Sequence, residues 1–271
     1  MRSAAIKFLR HIYMLKKSGS CKVWIFSLPT VFTNWPHSYL WSNGVTPAAF
    51  KTLLRSEHEH FSAQQKKYLA NSTHQALAWC QKCAMVLGNA ANKKAKHHDS
   101  ARTLVKRWFA ESGLAETEVD KYIATLNTGF KAIISRLNKG HFILTDYIPL
   151  RAASTQDEID FLNSEAFTFR SYGEGLDMVY IEKNFLVDNP GNILKGQNNW
   201  TRIVIHELSH LVCGTKDVMN GQARYAWYGI GPHSGYPGSQ AITNADNWAF
   251  FAVDCAGHIT EAERNNALKI I

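Results

Sequence analysis

The sequence predicts an α+β fold that is mostly helical and contains a small mixed β-sheet. Apolar residues recur at helical spacing over 46–96 and 101–138, and short runs of β-branched and aromatic residues follow between 141 and 181. Helical spacing returns from 198 to the C-terminus. Because the strands are grouped and do not alternate with helices, this order is typical of α+β domains. The composition, with 45% hydrophobic and 19% charged residues, is that of a globular protein.

Glycine-containing pairs and loops predict where the elements end. The predicted helices cover 46–96, 101–112, 117–138, 198–213, 239–256 and 260–271. The predicted strands cover 141–145, 166–170 and 178–181. Gly214 lies where a C-terminal glycine would end the helix at 198–213, and a loop rich in glycine and proline follows over 229–238.

The positive charge of the chain is concentrated at its N-terminus. The net charge of +8 comes from 30 Lys and Arg against 22 Asp and Glu, but residues 1–56 hold eight basic residues and no acidic one. We therefore predict a basic, aromatic-containing extension at 1–45 and a single domain at 46–271, with a helical part at 46–140 and a second part at 141–271. Since the charge of the domain is balanced, a nucleic-acid-binding function is not expected.

The N-terminal extension contains no clear targeting motif. An apolar run over 23–32 could form the core of a secretion signal, but 22 residues precede it and no A-x-A-like cleavage site follows. No uninterrupted apolar stretch reaches about 18 residues, so a transmembrane segment is not expected. The extension is therefore predicted to be poorly ordered or docked on a surface.

One motif, His206-Glu-Leu-Ser-His210, predicts the chemistry of this chain. Residues four apart share one face of an α-helix, so both imidazoles can reach the same metal ion. Glu207 projects beside them and can take a proton from a water that the metal activates. This H-E-x-x-H arrangement is typical of zinc peptidases.

A catalytic zinc site needs a third protein ligand beside the two histidines. A metzincin would have glycine at 213 and histidine at 216, where this chain has Cys213 and Lys216. A thermolysin-like site would use a later glutamate, but no glutamate occurs between positions 207 and 261. The remaining acids nearby are Asp217, Asp246 and Asp254. Asp217 is favoured because it lies just past the helix-ending glycine, where the chain can turn back to the metal.

Three motifs in order resemble those of the aspzincins, which include the deuterolysins and the peptidyl-Lys metalloendopeptidases. They are His206-Glu-Leu-Ser-His210, Gly214-Thr-Lys-Asp217 and Asn244-Ala-Asp-Asn-Trp-Ala-Phe-Phe251. The resemblance covers about residues 177–256 and implies a zincin-like metallopeptidase domain. It implies that His206, His210 and Asp217 bind one catalytic Zn²⁺ and that Glu207 is the general base. It also implies that Asp246 lies in the S1′ pocket, where it would receive a substrate lysine.

The sequence departs from the aspzincin pattern at two positions. A tyrosine follows the ligand aspartate by three residues in the family, where this chain has Asn220. We therefore predict that Tyr228, which precedes a glycine, donates a hydrogen bond to the oxyanion that forms on the scissile carbonyl. Tyr225 is the second candidate for this role. Lysine-specific members have a glutamate three residues after the aspartate of the third motif, where this chain has Ala249. Strict lysine specificity is accordingly not predicted.

The prediction that follows is a zinc-dependent metalloendopeptidase acting on protein or peptide substrates, with a preference for a basic residue after the scissile bond. The alternative is a zinc-binding, peptidase-like toxin, effector or binding module with restricted or weak proteolytic activity. In that case the N-terminal extension would direct the protein to its target. The resemblance favours a secreted or delivered protein, but it does not indicate which partner would deliver or inhibit it.

Overall fold

A computed structural model describes residues 23–26, 61–138, 142–145, 164–168, 177–220 and 222–270. They belong to two compact units, one formed by Met1–Asn71 with Leu137–Val187 and the other by Ser72–Arg136 with Asp188–Ile271. Apart from 23–26, the predicted extension and the first part of the predicted helix at 46–96 lie outside the described residues. Within the described ranges, no helix has the length and apolar character needed to cross a membrane.

The first unit contains a mixed four-stranded sheet. Its strands are β1 (Val23–Phe26), β2 (Phe142–Thr145), β3 (Ala166–Phe167) and β4 (Asp177–Ile181), in the spatial order β1-β2-β4-β3. The first three strands of that order are parallel, and β3 is antiparallel to β4. Ile25, Leu144 and Val179 lie side by side across the sheet and are fully buried.

Strand β1 corrects one sequence-based expectation. The sequence assigned Val23–Phe26 to an extension outside the domain, whereas these residues pair with β2 along their whole length. The run is β-branched and aromatic, and such residues favour a strand once a neighbouring strand supplies the pairing. The predicted α+β class with a small mixed sheet is confirmed. The division of 46–271 into one domain stays a prediction.

The helices lie close to their predicted positions. They are α1 (Ala63–Ala91), α2 (His98–Phe109), α3 (Glu116–Asn138), α4 (Gly196–Leu208), α5 (Gly238–Ala241), α6 (Ala245–Ala256) and α7 (Glu261–Ala267). Helix α7 begins with a capping box, in which the Thr260 hydroxyl accepts the Glu263 N–H and the Glu263 carboxylate accepts the Thr260 N–H.

Helix α6 forms the centre of the second unit and is buried from Ala245 to Asp254. The ring of Phe251 lies 5.4 Å from that of Phe109 on α2 and 5.9 Å from that of Phe130 on α3. A Cβ atom at Gly129 would lie 2.4 Å from the Trp248 ring, so α3 approaches α6 this closely only because it has no side chain there. Helix α6 therefore packs closely against both α2 and α3.

The predicted helix at 239–256 is divided, and the division positions the candidate site. Between α5 and α6, the Thr243 carbonyl accepts the Lys216 N–H at 2.8 Å, and the Lys216 carbonyl accepts the Ala245 N–H at 3.0 Å. The Asn244 side chain accepts the Val218 N–H at 3.1 Å and donates to the Arg224 carbonyl at 2.9 Å. These bonds hold the segment after the H-E-x-x-H helix against the start of α6, an arrangement that helical periodicity does not encode.

Candidate metal centre

The H-E-x-x-H motif lies where α4 changes from α-helical to π-helical geometry. His206 and Glu207 belong to α4, whereas His210 lies in a π-helical turn at Ser209–Cys213 that continues it. Gly214 ends the turn in the left-handed region with φ 75°, and its N–H donates to the Ser209 carbonyl. The sequence predicted a regular helix to residue 213. The structure differs from this prediction in its final turn, which is π-helical and therefore wider. Such turns occur frequently at functional sites.

The side chains of His206, His210 and Asp217 come together at this end of the helix. The Nε2 atoms of the two imidazoles are 3.1 Å apart. Asp217 Oδ1 lies 3.2 Å from His206 Nε2, and Asp217 Oδ2 lies 3.6 Å from His210 Nε2. Within the described ranges, this is the one group of three metal-binding side chains whose ligand atoms all lie within 4.8 Å of one another.

These donor atoms fit a zinc ion. Two ligands of a tetrahedral zinc, each about 2.0–2.1 Å from the metal, stand roughly 3.3 Å apart, close to the spacings seen here. Asp217 Oδ1 lies 3.2 Å from His206 Nε2, is buried and has no hydrogen-bond partner among the described residues. Two imidazole nitrogens and a carboxylate are the donor set that zinc prefers in catalytic sites.

The other ring nitrogen of each histidine is held by an oxygen atom. His210 Nδ1 lies 2.9 Å from the Thr215 carbonyl oxygen, which can only accept, so this nitrogen carries the proton. His206 Nδ1 lies 2.9 Å from Asp246 Oδ1. A proton on Nδ1 leaves the lone pair on Nε2, and both Nε2 atoms face the cluster. The surroundings therefore orient both imidazoles for metal binding.

The electrostatic environment of the cluster favours a cation. Burial lowers the pKa of His206, but the carboxylates of Asp217 and Asp246 outweigh burial and raise that pKa to about 10. Burial also tends to raise the pKa of Asp217, yet the imidazoles of His206 and His210 hold it far below its usual range. The site thus keeps its carboxylate ionised and attracts positive charge.

Glu207 lies beside the cluster in a largely water-free position, with 4% of its surface exposed. Burial raises the pKa of its carboxyl group, while the neighbouring His206 and His210 oppose the rise. A buried carboxylate is a stronger proton acceptor than an exposed one. Its position and basicity suit the role of general base.

The comparison with known proteins agrees with this geometry. The profile of the aspzincin family, described as lysine-specific metallo-endopeptidase, matches residues 94–253. The chain belongs to the aspzincin family. A search of the curated proteins finds no match. The family resemblance inferred from the three motifs is confirmed, and with it the zincin-like class and a family activity of zinc-dependent peptide hydrolysis.

In this aspzincin, the carboxylate of Asp246 is enclosed by other groups of the protein. The family resemblance predicted that this carboxylate lies in a pocket for a substrate lysine, whereas Asp246 has no exposed surface. Its oxygens accept hydrogen bonds from Arg202 Nη1 at 3.1 Å, from the Ala226 N–H at 2.8 Å and from His206 Nδ1. Asp246 therefore contacts a predicted metal ligand, and its place in a substrate pocket stays a prediction.

Arg202 is a residue of this site that the sequence analysis missed. It precedes His206 by four residues on α4, and Asn199 accepts from its Nε and Nη2 atoms at 3.2 and 2.9 Å. Because residues four apart share a helix face, the spacing was a usable signal. Asp254, the other aspartate considered as a ligand, accepts from Arg107, Trp108 and Arg264 and is remote from this network.

The structure brings Tyr225 to the cluster, and not the predicted Tyr228. The Tyr225 ring lies 6.0 Å from that of His206, and the Asp217 carboxylate is one of the charges near its hydroxyl. Burial and the nearby carboxylates raise the pKa of Tyr225 well above its usual value, so the phenol stays protonated. Tyr228 is 37% exposed and packs its ring on Trp227.

Two short strands explain why the tyrosine is displaced along the sequence. After Asp217 the chain forms β5 (Met219–Asn220) and β6 (Gln222–Ala223), which pair antiparallel. The Arg224 N–H then donates to the Val218 carbonyl at 2.8 Å, which brings residue 225 back beside the ligand aspartate. A 3₁₀ turn at Ala226–Tyr228 follows and carries Tyr228 to the surface.

The contact between Asp246 and His206 leads to a prediction on metal affinity. Asp246→Asn removes the charge that holds the His206 ring and leaves Arg202 without its carboxylate, so we expect zinc to bind about 10- to 100-fold more weakly. Competition with a chromophoric chelator measures this. Asp254→Asn is the matched control, because it changes a largely buried, arginine-paired aspartate outside the site. Unchanged zinc affinity in Asp246→Asn would show that His206 needs no such support.

Proposed function

We propose that this aspzincin is a zinc-dependent endopeptidase that cleaves protein or peptide substrates. His206, His210 and Asp217 are the residues that would hold one zinc ion, and Glu207 is the general base. The observation that carries the proposal is the convergence of three ligand atoms within 4.8 Å beside a buried glutamate.

The chemistry follows from the residues around the cluster. A zinc ion bound there would lower the pKa of a coordinated water to about 7 and polarise the scissile carbonyl. Glu207 accepts the proton of the attacking water and passes it to the leaving amine. Tyr225, whose phenol stays protonated, donates a hydrogen bond to the developing oxyanion. Asp246 and Thr215 keep the imidazoles oriented throughout.

Metal analysis combined with a peptide-library digest tests this function. We expect one zinc per chain, and we expect cleavage of library peptides that a chelator abolishes and added zinc restores. Zinc at one per chain without cleavage of any peptide would overturn the proposal. That outcome would favour the alternative, a zinc-binding, peptidase-like effector or binding module.

We also propose a preference for substrates with lysine directly after the scissile bond. The contacts around the site support only a weak preference. Asp246 is already paired with Arg202, and Ala249 has no exposed surface and no carboxylate to offer. We expect kcat/KM to differ less than about tenfold between peptides with lysine and with norleucine at that position, since neither Asp246 nor Ala249 offers a free carboxylate to the ammonium group. A preference for lysine above 100-fold would contradict this expectation and indicate that Asp246 binds the substrate lysine.

A further inference from the structure

A shallow depression lies beside the candidate metal centre, and the proposed mechanism does not use it. Among the described residues, its lining comes from the loop before α4, from α4, from the 3₁₀ turn at Ala226–Tyr228 and from α6. Its floor consists of residues with less than 5% of their surface exposed, namely Asn199, Arg202, Ala226, Asp246 and Phe250. Its accessible rim consists of Asn192, Ile193 and Trp227, which are half-buried.

Two sets of contacts connect this depression to the metal centre. At the floor, Asp246 Oδ1 lies 2.9 Å from Nδ1 of the predicted ligand His206. At the rim, the Trp227 ring lies 4.6 Å from the Tyr225 ring, which in turn lies 6.0 Å from the His206 ring. Arg202 precedes His206 by four residues, a rise of about 6 Å along the helix. Because an extended peptide advances about 3.3 Å per residue, the depression lies within about two residues of a bond cleaved at the metal.

Hydrogen bonds hold the backbone on both sides of the depression. On the side of the loop before α4, the Asn192 N–H donates to the Asn189 carbonyl at 3.0 Å. On the other side, the Ala226 N–H donates to Asp246 Oδ2 at 2.8 Å, one residue before Trp227. The backbone that carries the indole is therefore already in place, and a ligand need not order it on binding.

The charges that line the depression balance each other within the protein. Arg202 and Asp246 form an ion pair at 3.1 Å, and the Asn199 side chain accepts from Arg202 Nη2 at 2.9 Å. The rim is neutral, since it consists of an amide, an aliphatic side chain and an indole. A charged substrate group would lose hydration here without gaining an ion pair. An apolar group would instead remove the exposed parts of Ile193 and Trp227 from water.

We propose that the rim of this depression, with Trp227 as its main surface, binds an uncharged apolar side chain of the peptide substrate close to the cleaved bond. The inference rests on the proposed endopeptidase function and adds a substrate class to it. Trp227 is then a specificity-determining residue, because an indole supplies a large apolar contact area. The inference also agrees with a weak lysine preference, since the aliphatic stem of a lysine can lie on the same surface.

Matched peptides test the inference and locate the substrate position. In a peptide that the zinc-loaded protein cleaves, each of the two positions on either side of the scissile bond is set in turn to norleucine, alanine or aspartate. Norleucine has three more carbons than alanine, and each carbon contributes about fourfold when it is fully buried. Since the rim buries a side chain only in part, we expect kcat/KM at one position to be about tenfold higher for norleucine than for alanine or aspartate.

Variants of the 3₁₀ turn assign this preference to Trp227. In Trp227→Ala the ratio of kcat/KM between the norleucine and alanine peptides should fall below about twofold, whereas Trp227→Phe should keep most of it. Tyr228→Ala is the matched control, because it truncates the next aromatic residue of the same turn, which does not line the depression. We expect that variant to retain the tenfold ratio.

Three outcomes would overturn the inference. A wild-type protein that cleaves all three peptides equally at every position excludes it without any variant. Retention of the ratio in Trp227→Ala shows that another surface selects the side chain. A uniform loss of activity on every peptide in Trp227→Ala, with the ratio unchanged, shows that the indole only supports Tyr225 by packing on its ring.

Binding measurements separate this inference from the proposed function. Calorimetry with zinc-loaded Glu207→Gln compares the norleucine and alanine peptides without requiring cleavage. Tighter binding of the norleucine peptide that a second change, Trp227→Ala, removes would support the inference even if the wild-type protein cleaves nothing. Equal binding of the two peptides, or binding of neither, would contradict it.

Discussion

Glu207→Gln is expected to lower kcat for peptide hydrolysis by about 10²- to 10⁴-fold, the contribution typical of a general base. Glutamine has the shape of glutamate but cannot accept and return a proton. Glu207 lies beside His206 and His210 without belonging to the group of three converging ligands, so the variant should still bind zinc. Steady-state kinetics with a peptide from the library digest measures the loss, and metal analysis measures the zinc.

The control for this prediction is Glu118→Gln, which makes the same exchange on the outer face of α3, where Glu118 pairs with Lys121. We expect that variant to have wild-type kinetics. Retention of peptide hydrolysis by zinc-loaded Glu207→Gln would sink the proposed mechanism. Loss of zinc together with activity would instead show that Glu207 acts on metal binding.

Tyr225→Phe is expected to lower kcat by about 10²- to 10³-fold, because one hydrogen bond to the oxyanion is removed. The ring stays in place, so its contacts with His206 and Trp227 are kept, and zinc binding should be unchanged. KM is expected to change little, since the lost bond is made mainly in the transition state. Separate determination of kcat and KM tests this division.

Tyr228→Phe provides the matched comparison within the same turn. Tyr228 is exposed and packs on Trp227, so loss of its hydroxyl should change kcat by less than about twofold. The opposite result, a large loss in Tyr228→Phe with a normal Tyr225→Phe, would support the choice made from the sequence. It would also require the 3₁₀ turn at Ala226–Tyr228 to rearrange when substrate binds.

The sequence was a good guide to the helices and to the side chains on one helix. The period of 3.6 residues places His206 and His210 on the same face, and Gly214 determines where the helix stops. Asp217 follows Gly214 by only three residues, so few backbone conformations can place it far from the two histidines. The structure brings these side chains together as the pattern indicated, while their binding of zinc stays a prediction.

The sequence was a poor guide wherever a side chain is held by a distant segment. Asp246 looked like a substrate-binding acid because its motif resembles that of lysine-specific relatives. Its actual partners are Arg202, His206 and the Ala226 N–H, which come from two other segments of the chain. Pattern matching identifies a residue but not the contacts that its neighbours impose, and here those contacts close the carboxylate to solvent.

For this protein, the sequence alone indicated the family, the helix with the H-E-x-x-H motif and the candidate ligands on it, because local backbone geometry fixes the spacing of side chains a few residues apart. The tertiary structure decided which tyrosine lies near the cluster and which groups enclose the Asp246 carboxylate. These outcomes depend on the pairing of β5 with β6 and on the bonds of Asn244 to Val218 and Arg224. The bonds of Asn244 join residues 26 and 20 positions apart and depend on the packing of the whole unit, which no local spacing records.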